Sequence, residues 1–177
     1  MPSEALQRLD ERLEDVARLL EAHQTGRRWR LEALNRGAIV LLSAQLQGYL
    51  ADLFKEVSDY LLESRPQGQV FENRKVFVDE ALRSFGNPNP DRVRSLFRYL
   101  GLPDVFADLQ WGTMSHREIW NRLKALIELR NDIAHGERPI VTKDEVENWA
   151  VFVRQFAERI EYSMHEYIRL QTGILPW

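Results

Sequence analysis

The residues best suited to chemistry lie together in one short stretch, Arg-Asn-Asp-Ile-Ala-His-Gly at positions 130–136. Arginine stays charged at physiological pH, and the planar fork of Arg130 fits the oxygens of a phosphate group. Histidine titrates near neutrality, so His135 could both accept and release a proton. A cation that binds phosphate, close to a group that moves protons, favours phosphodiester chemistry without a metal ion.

The composition limits how the chain could meet a nucleic acid. It has 177 residues, of which 44% are hydrophobic and 29% are charged, as in an ordinary globular protein. This length predicts a single helical domain over residues 1–177 with one hydrophobic core. The formal net charge of −3 argues against a globally basic nucleic-acid binder, so any RNA contact would use a local patch.

The sequence indicates neither a metal centre nor a cofactor site. The chain has no cysteine, which excludes a thiolate metal site, a disulfide and a cysteine nucleophile. Its histidines, at positions 23, 116, 135 and 165, are widely spaced, with no pair four residues apart on a helix. The glycine-rich motifs that bind nucleotide phosphates are also missing, so we expect no cofactor.

The sequence predicts no membrane segment. The first ten residues, Met-Pro-Ser-Glu-Ala-Leu-Gln-Arg-Leu-Asp, lack the basic and apolar regions of a signal peptide. The longest wholly apolar run, Ala38–Leu42, is far too short to span a bilayer. We therefore expect a cytoplasmic protein with no membrane partner.

Apolar residues recur at helical spacing along the chain, and no stretch alternates as a strand would. The pattern predicts an all-α bundle of about five helices. A first helix begins after Ser3 and ends at Thr25-Gly26. A second runs from about Trp29 to Leu62, and a third from about Glu72 to Ser84.

Cap signals mark the helices in the second half of the chain. The strongest break is Gly-Asn-Pro-Asn-Pro at positions 86–90, where Asn89 caps a short helix that begins with Pro90. Capping boxes at Ser115–Glu118 and Thr142–Glu145 open two further helices. The first of these carries the stretch at 130–136, and Gly136 ends it.

Arg130 and His135 would not share a face of a regular helix. They are five residues apart, which corresponds to a rotation of about 140°. They converge only if the helix ends near His135, or if a partner chain supplies the other half of a site. Gly136 and Pro139 favour the first arrangement, and the second indicates a dimer.

The stretch and its setting resemble the HEPN superfamily, in particular its RiboL-PSP-like branch. These proteins are small helical bundles with an R-x(4–6)-H motif near the end of one helix. Here the motif is Arg130-x4-His135, with the polar Asn131 after the arginine and Gly136 after the histidine, as in many members. The apolar stretch Gly37–Ala44 looks like the core helix of the family.

This resemblance implies a metal-independent ribonuclease that dimerises so that two motifs face each other across a cleft. It implies RNA as substrate, a toxin or phage-defence role, and an antitoxin protein as a further partner. Arg130 would bind the scissile phosphate, and His135 would act as general acid and base. Asn131 would orient His135 or bind the phosphate, and Asp132 would support the imidazole or cap a loop.

Other interpretations of the same residues stay open. The chain could be a non-catalytic HEPN module that binds RNA or a protein, and the negative net charge favours this interpretation. It could also be a purely structural helical dimer. His135 could serve only as a charge that interacts with the helix dipole. Arg130 could serve only in a salt bridge, to Glu128 or Glu137.

Overall fold

The computed structural model of this chain describes residues 1–21, 28–63 and 74–177, and most of these residues are helical. The all-α prediction is confirmed. The helix count is six rather than about five, and the described residues form no strand, only an isolated bridge between Trp111 and Met114. The helices are α1 Glu4–Glu21, α2 Arg28–Glu63, α3 Arg74–Ser84, α4 Pro90–Arg98, α5 His116–Ala134 and α6 Lys143–Thr172.

The predicted helix bounds agree with the structure wherever a local cap signal sets them. The Asn89 side chain accepts a hydrogen bond from the Arg92 backbone, and Pro90 is the first residue of α4. Both predicted capping boxes form, at the starts of α5 and α6. The predicted end of the first helix at Thr25-Gly26 and the predicted start of the third at Glu72 lie outside the described residues.

Helix α2 forms the centre of the bundle and packs against α1, α5 and α6. Its buried side chains lie on more than one side of the helix, as expected for a helix that is surrounded by others. Tyr49 is fully buried there, and its hydroxyl donates to the Ala157 carbonyl of α6 at 2.7 Å. Burying one large apolar side chain stabilises the folded state by about 1.5–3 kcal/mol. Because many side chains of α2 are buried, this helix provides much of the core against which α5 packs.

Among the described helices, one is long and apolar enough to cross a membrane by length and composition, over Leu31–Leu62. The sequence indicated no such span, because its longest wholly apolar run has only five residues, Ala38–Leu42. Half of the apolar window in Leu31–Leu62 is buried inside the bundle. The central helix of a helical bundle can have the same length and apolar composition. The composition of Leu31–Leu62 is therefore weak evidence that the protein crosses a membrane.

A buried hydrogen bond from α2 holds the connection between α5 and α6, just after the candidate motif. The Asn35 side chain donates to the Val141 carbonyl at 2.7 Å, and both residues are buried. Val141 directly precedes Thr142, the cap of α6. This contact therefore fixes the chain that follows His135.

We expect Asn35→Ala to lower the free energy of unfolding by about 1–3 kcal/mol, because it leaves a buried carbonyl without its donor. Urea unfolding of the full chain, followed by circular dichroism, measures this loss. The matched control is Asn121→Ala on the exposed side of α5, which should change stability by less than about 0.5 kcal/mol. Equal effects of the two substitutions would contradict the role of the buried bond.

Candidate active site

The helix that carries the motif ends in a glycine-dependent turn. His135 is the C-cap of α5, and Gly136 follows with a φ of +94°. The Gly136 backbone donates to the Ile133 carbonyl at 3.1 Å, and the Glu137 backbone donates to the Asp132 carbonyl at 2.9 Å. This pair of bonds is the Schellman arrangement, which favours glycine because other residues rarely adopt a positive φ. The prediction that Gly136 ends the helix is confirmed.

The end of α5 does not bring Arg130 and His135 together within one chain. The helix ends at Ala134, and His135 caps it with φ −85° and ψ 4°, outside the helical region. On a regular helix, side chains five residues apart point in directions about 140° apart. No hydrogen bond or ion pair joins them in the part of the chain that the structure describes.

Arg130 is half-buried and has no acidic partner among the described residues. Its Nη1 donates to Asn131 Oδ1 at 3.2 Å, a neutral acceptor that leaves the positive charge uncompensated. Glu128, one of the two expected salt-bridge partners, instead lies 3.6 Å from Lys124 Nζ. The charge of Arg130 thus remains available to an anion.

Asn131 links the motif to a loop from elsewhere in the chain. Its Oδ1 accepts from Arg130 Nη1 at 3.2 Å and from Asn87 Nδ2 at 2.8 Å. The oxygen and nitrogen of a planar amide point in different directions, so the nitrogen of Asn131 is turned away from both donors. This nitrogen makes no hydrogen bond with the described residues, and it could donate to an oxygen of a bound phosphate.

The other two predicted residues are exposed at the end of α5. The His135 side chain forms neither a hydrogen bond nor an ion pair with the described residues, so nothing there fixes its tautomer. The Asp132 carboxylate is also without such a partner in the described chain, and it does not hold the imidazole. Asp132 closes the helix end with its backbone carbonyl instead.

Asn87 is the residue at this site that sequence reasoning missed. The pattern at 86–90 predicted only a break between helices, and the sole signal was an asparagine beside two prolines. The structure places this loop against the end of α5. Asn87 Oδ1 is buried, and no donor among the described residues bonds to it. The exposed Arg92 lies beside the same loop, since its Nη1 would be 2.9 Å from a Cβ at Gly86.

Two clefts elsewhere on the molecule are poor sites for RNA. They have volumes of about 470 and 690 Å³, and both lie beside Trp177. Acidic side chains line both of them, Glu158, Glu161 and Glu166 in one and Glu4, Glu56 and Asp59 in the other. A polyanion would be repelled there, whereas Arg130 and Arg92 place cations near the end of α5.

The described residues contain no group of three or more histidine, cysteine, aspartate or glutamate side chains that could hold a metal ion. The groups of the motif that could act in chemistry are Arg130, Asn131 and His135. Charge at the phosphate would be compensated by arginine, and protons would be moved by histidine.

The described residues form a helical bundle, and HEPN domains are helical. The sequence model of one family within this superfamily, RiboL-PSP-HEPN, matches residues 62–166, more than half of the chain. The protein therefore belongs to the RiboL-PSP-HEPN family. The match includes both Asn87 and the motif at 130–136, but not the stretch Gly37–Ala44. No curated protein and no solved structure matches the chain.

Proposed function

We propose that this protein is a metal-independent endoribonuclease that cleaves single-stranded RNA in the cytoplasm. The observation that carries the proposal is the state of Arg130: a half-buried cation, held by a neutral amide and without an acidic partner among the described residues. Membership in the RiboL-PSP-HEPN family favours a nuclease or an RNA-binding module. In a nuclease or in an RNA-binding module, an arginine without a compensating carboxylate could bind a phosphate of the RNA.

The reaction follows from the residues at the end of α5. One His135 removes the proton of a ribose 2′-hydroxyl, and the oxygen attacks the adjacent phosphorus. The bond from phosphorus to the 5′-oxygen breaks, and that oxygen takes a proton from a second His135. The products are a 2′,3′-cyclic phosphate and a 5′-hydroxyl. Arg130 and the Asn131 nitrogen bind the non-bridging oxygens and stabilise their charge in the transition state.

This mechanism needs a homodimer. Arg130 and His135 diverge on one chain, so a two-fold axis near the end of α5 would place the motif of each chain opposite that of its partner. The dimer would supply two histidines, one neutral and one protonated, as base and acid.

A toxin or a phage-defence effector is the biological role that we propose for such an enzyme, because cleavage of cellular RNA stops growth. An antitoxin protein would then bind the chain and block access to the exposed His135. The alternative function is a non-catalytic HEPN module that binds RNA or a protein. The net charge of −3 favours this alternative, because a chain that binds long RNA tightly usually carries excess positive charge.

Cleavage of RNA in the presence of EDTA tests the proposed function. Purified full chain should cleave a fluorescent single-stranded RNA at the same rate with and without the chelator, because the mechanism uses no metal ion. The matching oligonucleotide with 2′-deoxy sugars should stay intact, because it lacks the attacking hydroxyl. An RNA that stays intact while it binds the protein would instead support the non-catalytic module.

A further inference from the structure

We propose that Asn87 is a positioning residue of this site. It holds the Asn131 amide in the orientation that leaves the Asn131 nitrogen free to donate to a phosphate oxygen. The inference rests on the proposed function, which places a phosphate at Arg130. Asn87 itself lies behind Asn131 and acts through it.

The hydrogen bonds around Asn131 fix which end of its amide faces outward. Asn87 Nδ2 and Arg130 Nη1 are both donors, and both point at Asn131 Oδ1, at 2.8 and 3.2 Å. If the Asn131 amide were reversed, three N–H groups would face one another without an acceptor. The donor from Asn87 therefore keeps the nitrogen of Asn131 directed away from Asn87 and from Arg130 Nη1.

The other end of the Asn87 amide does not determine its orientation. Asn87 Oδ1 is buried and accepts no hydrogen bond from the described residues. The reverse orientation of Asn87 would be worse, because its oxygen would then face Asn131 Oδ1 and two acceptors would repel. The contact with Asn131 thus decides the orientation of Asn87, as expected for a residue kept for its donor rather than for filling space.

The loop that presents Asn87 is held at several points. Pro88 is buried, and Pro90 begins α4 with its fixed φ. The Asn89 backbone donates to the Asn87 carbonyl at 2.8 Å, and the Asn89 side chain caps α4. The Asn87 donor lies on this fixed loop, and its acceptor, Asn131 Oδ1, lies on the regular helix α5. The pair is therefore preorganised, as required of residues that position a catalytic group.

Asn87→Leu tests this role, because leucine has the same branched shape and number of side-chain heavy atoms as asparagine, although it is larger, and it has no donor. We expect kcat for single-stranded RNA to fall about 10- to 100-fold, since misplacing a catalytic group slightly has an effect of this size. KM should change by less than about threefold, because Arg130 still binds the phosphate. An Asn87→Leu enzyme with kcat within about twofold of wild type would overturn the proposal.

A double-mutant cycle separates positioning from a general effect on the fold. If Asn87 acts through Asn131, then adding Asn87→Leu to Asn131→Ala should lower kcat no further than Asn131→Ala alone. The matched control, Asn121→Ala on the exposed side of α5, lies outside this loop, and it should leave kcat unchanged. Multiplicative losses in the double variant would also overturn the proposal.

A readout without catalysis distinguishes failure of this inference from failure of the proposed function. The side-chain NH₂ signals of Asn131 in ¹H–¹⁵N spectra of the full chain can be assigned by their absence in Asn131→Ala. They should shift in Asn87→Leu, and a 2′-deoxy oligonucleotide should perturb them in wild type only. A wild type that cleaves no RNA would refute the proposed function alone. Asn131 signals identical in wild type and Asn87→Leu would refute the positioning role.

Discussion

Replacing His135 or Arg130 with alanine is expected to abolish RNA cleavage while the protein stays folded. Loss of the histidine removes the group that moves protons, which lowers the rate about 10²- to 10⁴-fold. Loss of the arginine removes charge stabilisation at the phosphate, about 10²- to 10³-fold. His135 is exposed, and neither side chain has an ion-pair partner among the described residues, so unfolding should change little. Cleavage rates and thermal unfolding curves of the purified variants measure both effects.

Control variants for this prediction lie on the same helix. His116 is exposed at the first turn of α5, about 28 Å along the helix from His135, and His116→Ala should keep full activity. Arg130→Lys keeps the charge but loses the planar fork, so its rate should lie between wild type and Arg130→Ala. If Arg130→Ala and His135→Ala cleave RNA as fast as the control, the motif is not the active site.

The parts of the fold that the sequence predicts well depend on contacts within a few residues. The capping boxes at Ser115–Glu118 and Thr142–Glu145, the cap at Asn89 and the stop at Gly136 all form as predicted. Each of these signals joins groups at most five residues apart, so the local sequence contains both partners. The same signals place Arg130 and His135 at the end of α5.

The arrangement of the site depends on contacts that the local sequence does not contain. Asn87 and Asn131 are separated by 44 residues, and only the packing of the loop at 86–90 against α5 makes them neighbours. Sequence reasoning therefore offered Asn131 two roles, and the structure shows an amide oxygen engaged by two donors. The sequence also left open how the end of the helix places His135 relative to Arg130. That placement depends on the backbone angles of His135, which only the structure gives.

The separation of Arg130 and His135 on one chain leads to the prediction that inactive chains suppress active ones. In a two-fold dimer whose single composite site uses both copies of His135, a dimer with one His135→Ala chain lacks either the acid or the base. Wild-type chains that are mixed with a ninefold excess of this variant and allowed to exchange would pair mostly with variant chains. Activity per wild-type chain should then fall to about a tenth of its value alone.

The same mixing experiment with His116→Ala chains provides the control, because these chains keep the motif and should cause no loss. Light scattering at the concentration of the assay should show dimers in every sample. If activity per wild-type chain is unchanged by excess His135→Ala chains, although the light scattering shows dimers and exchange is complete, then each chain holds a complete site. A monomer that cleaves RNA would contradict the composite site as well, since the proposed mechanism takes one His135 from each of two chains.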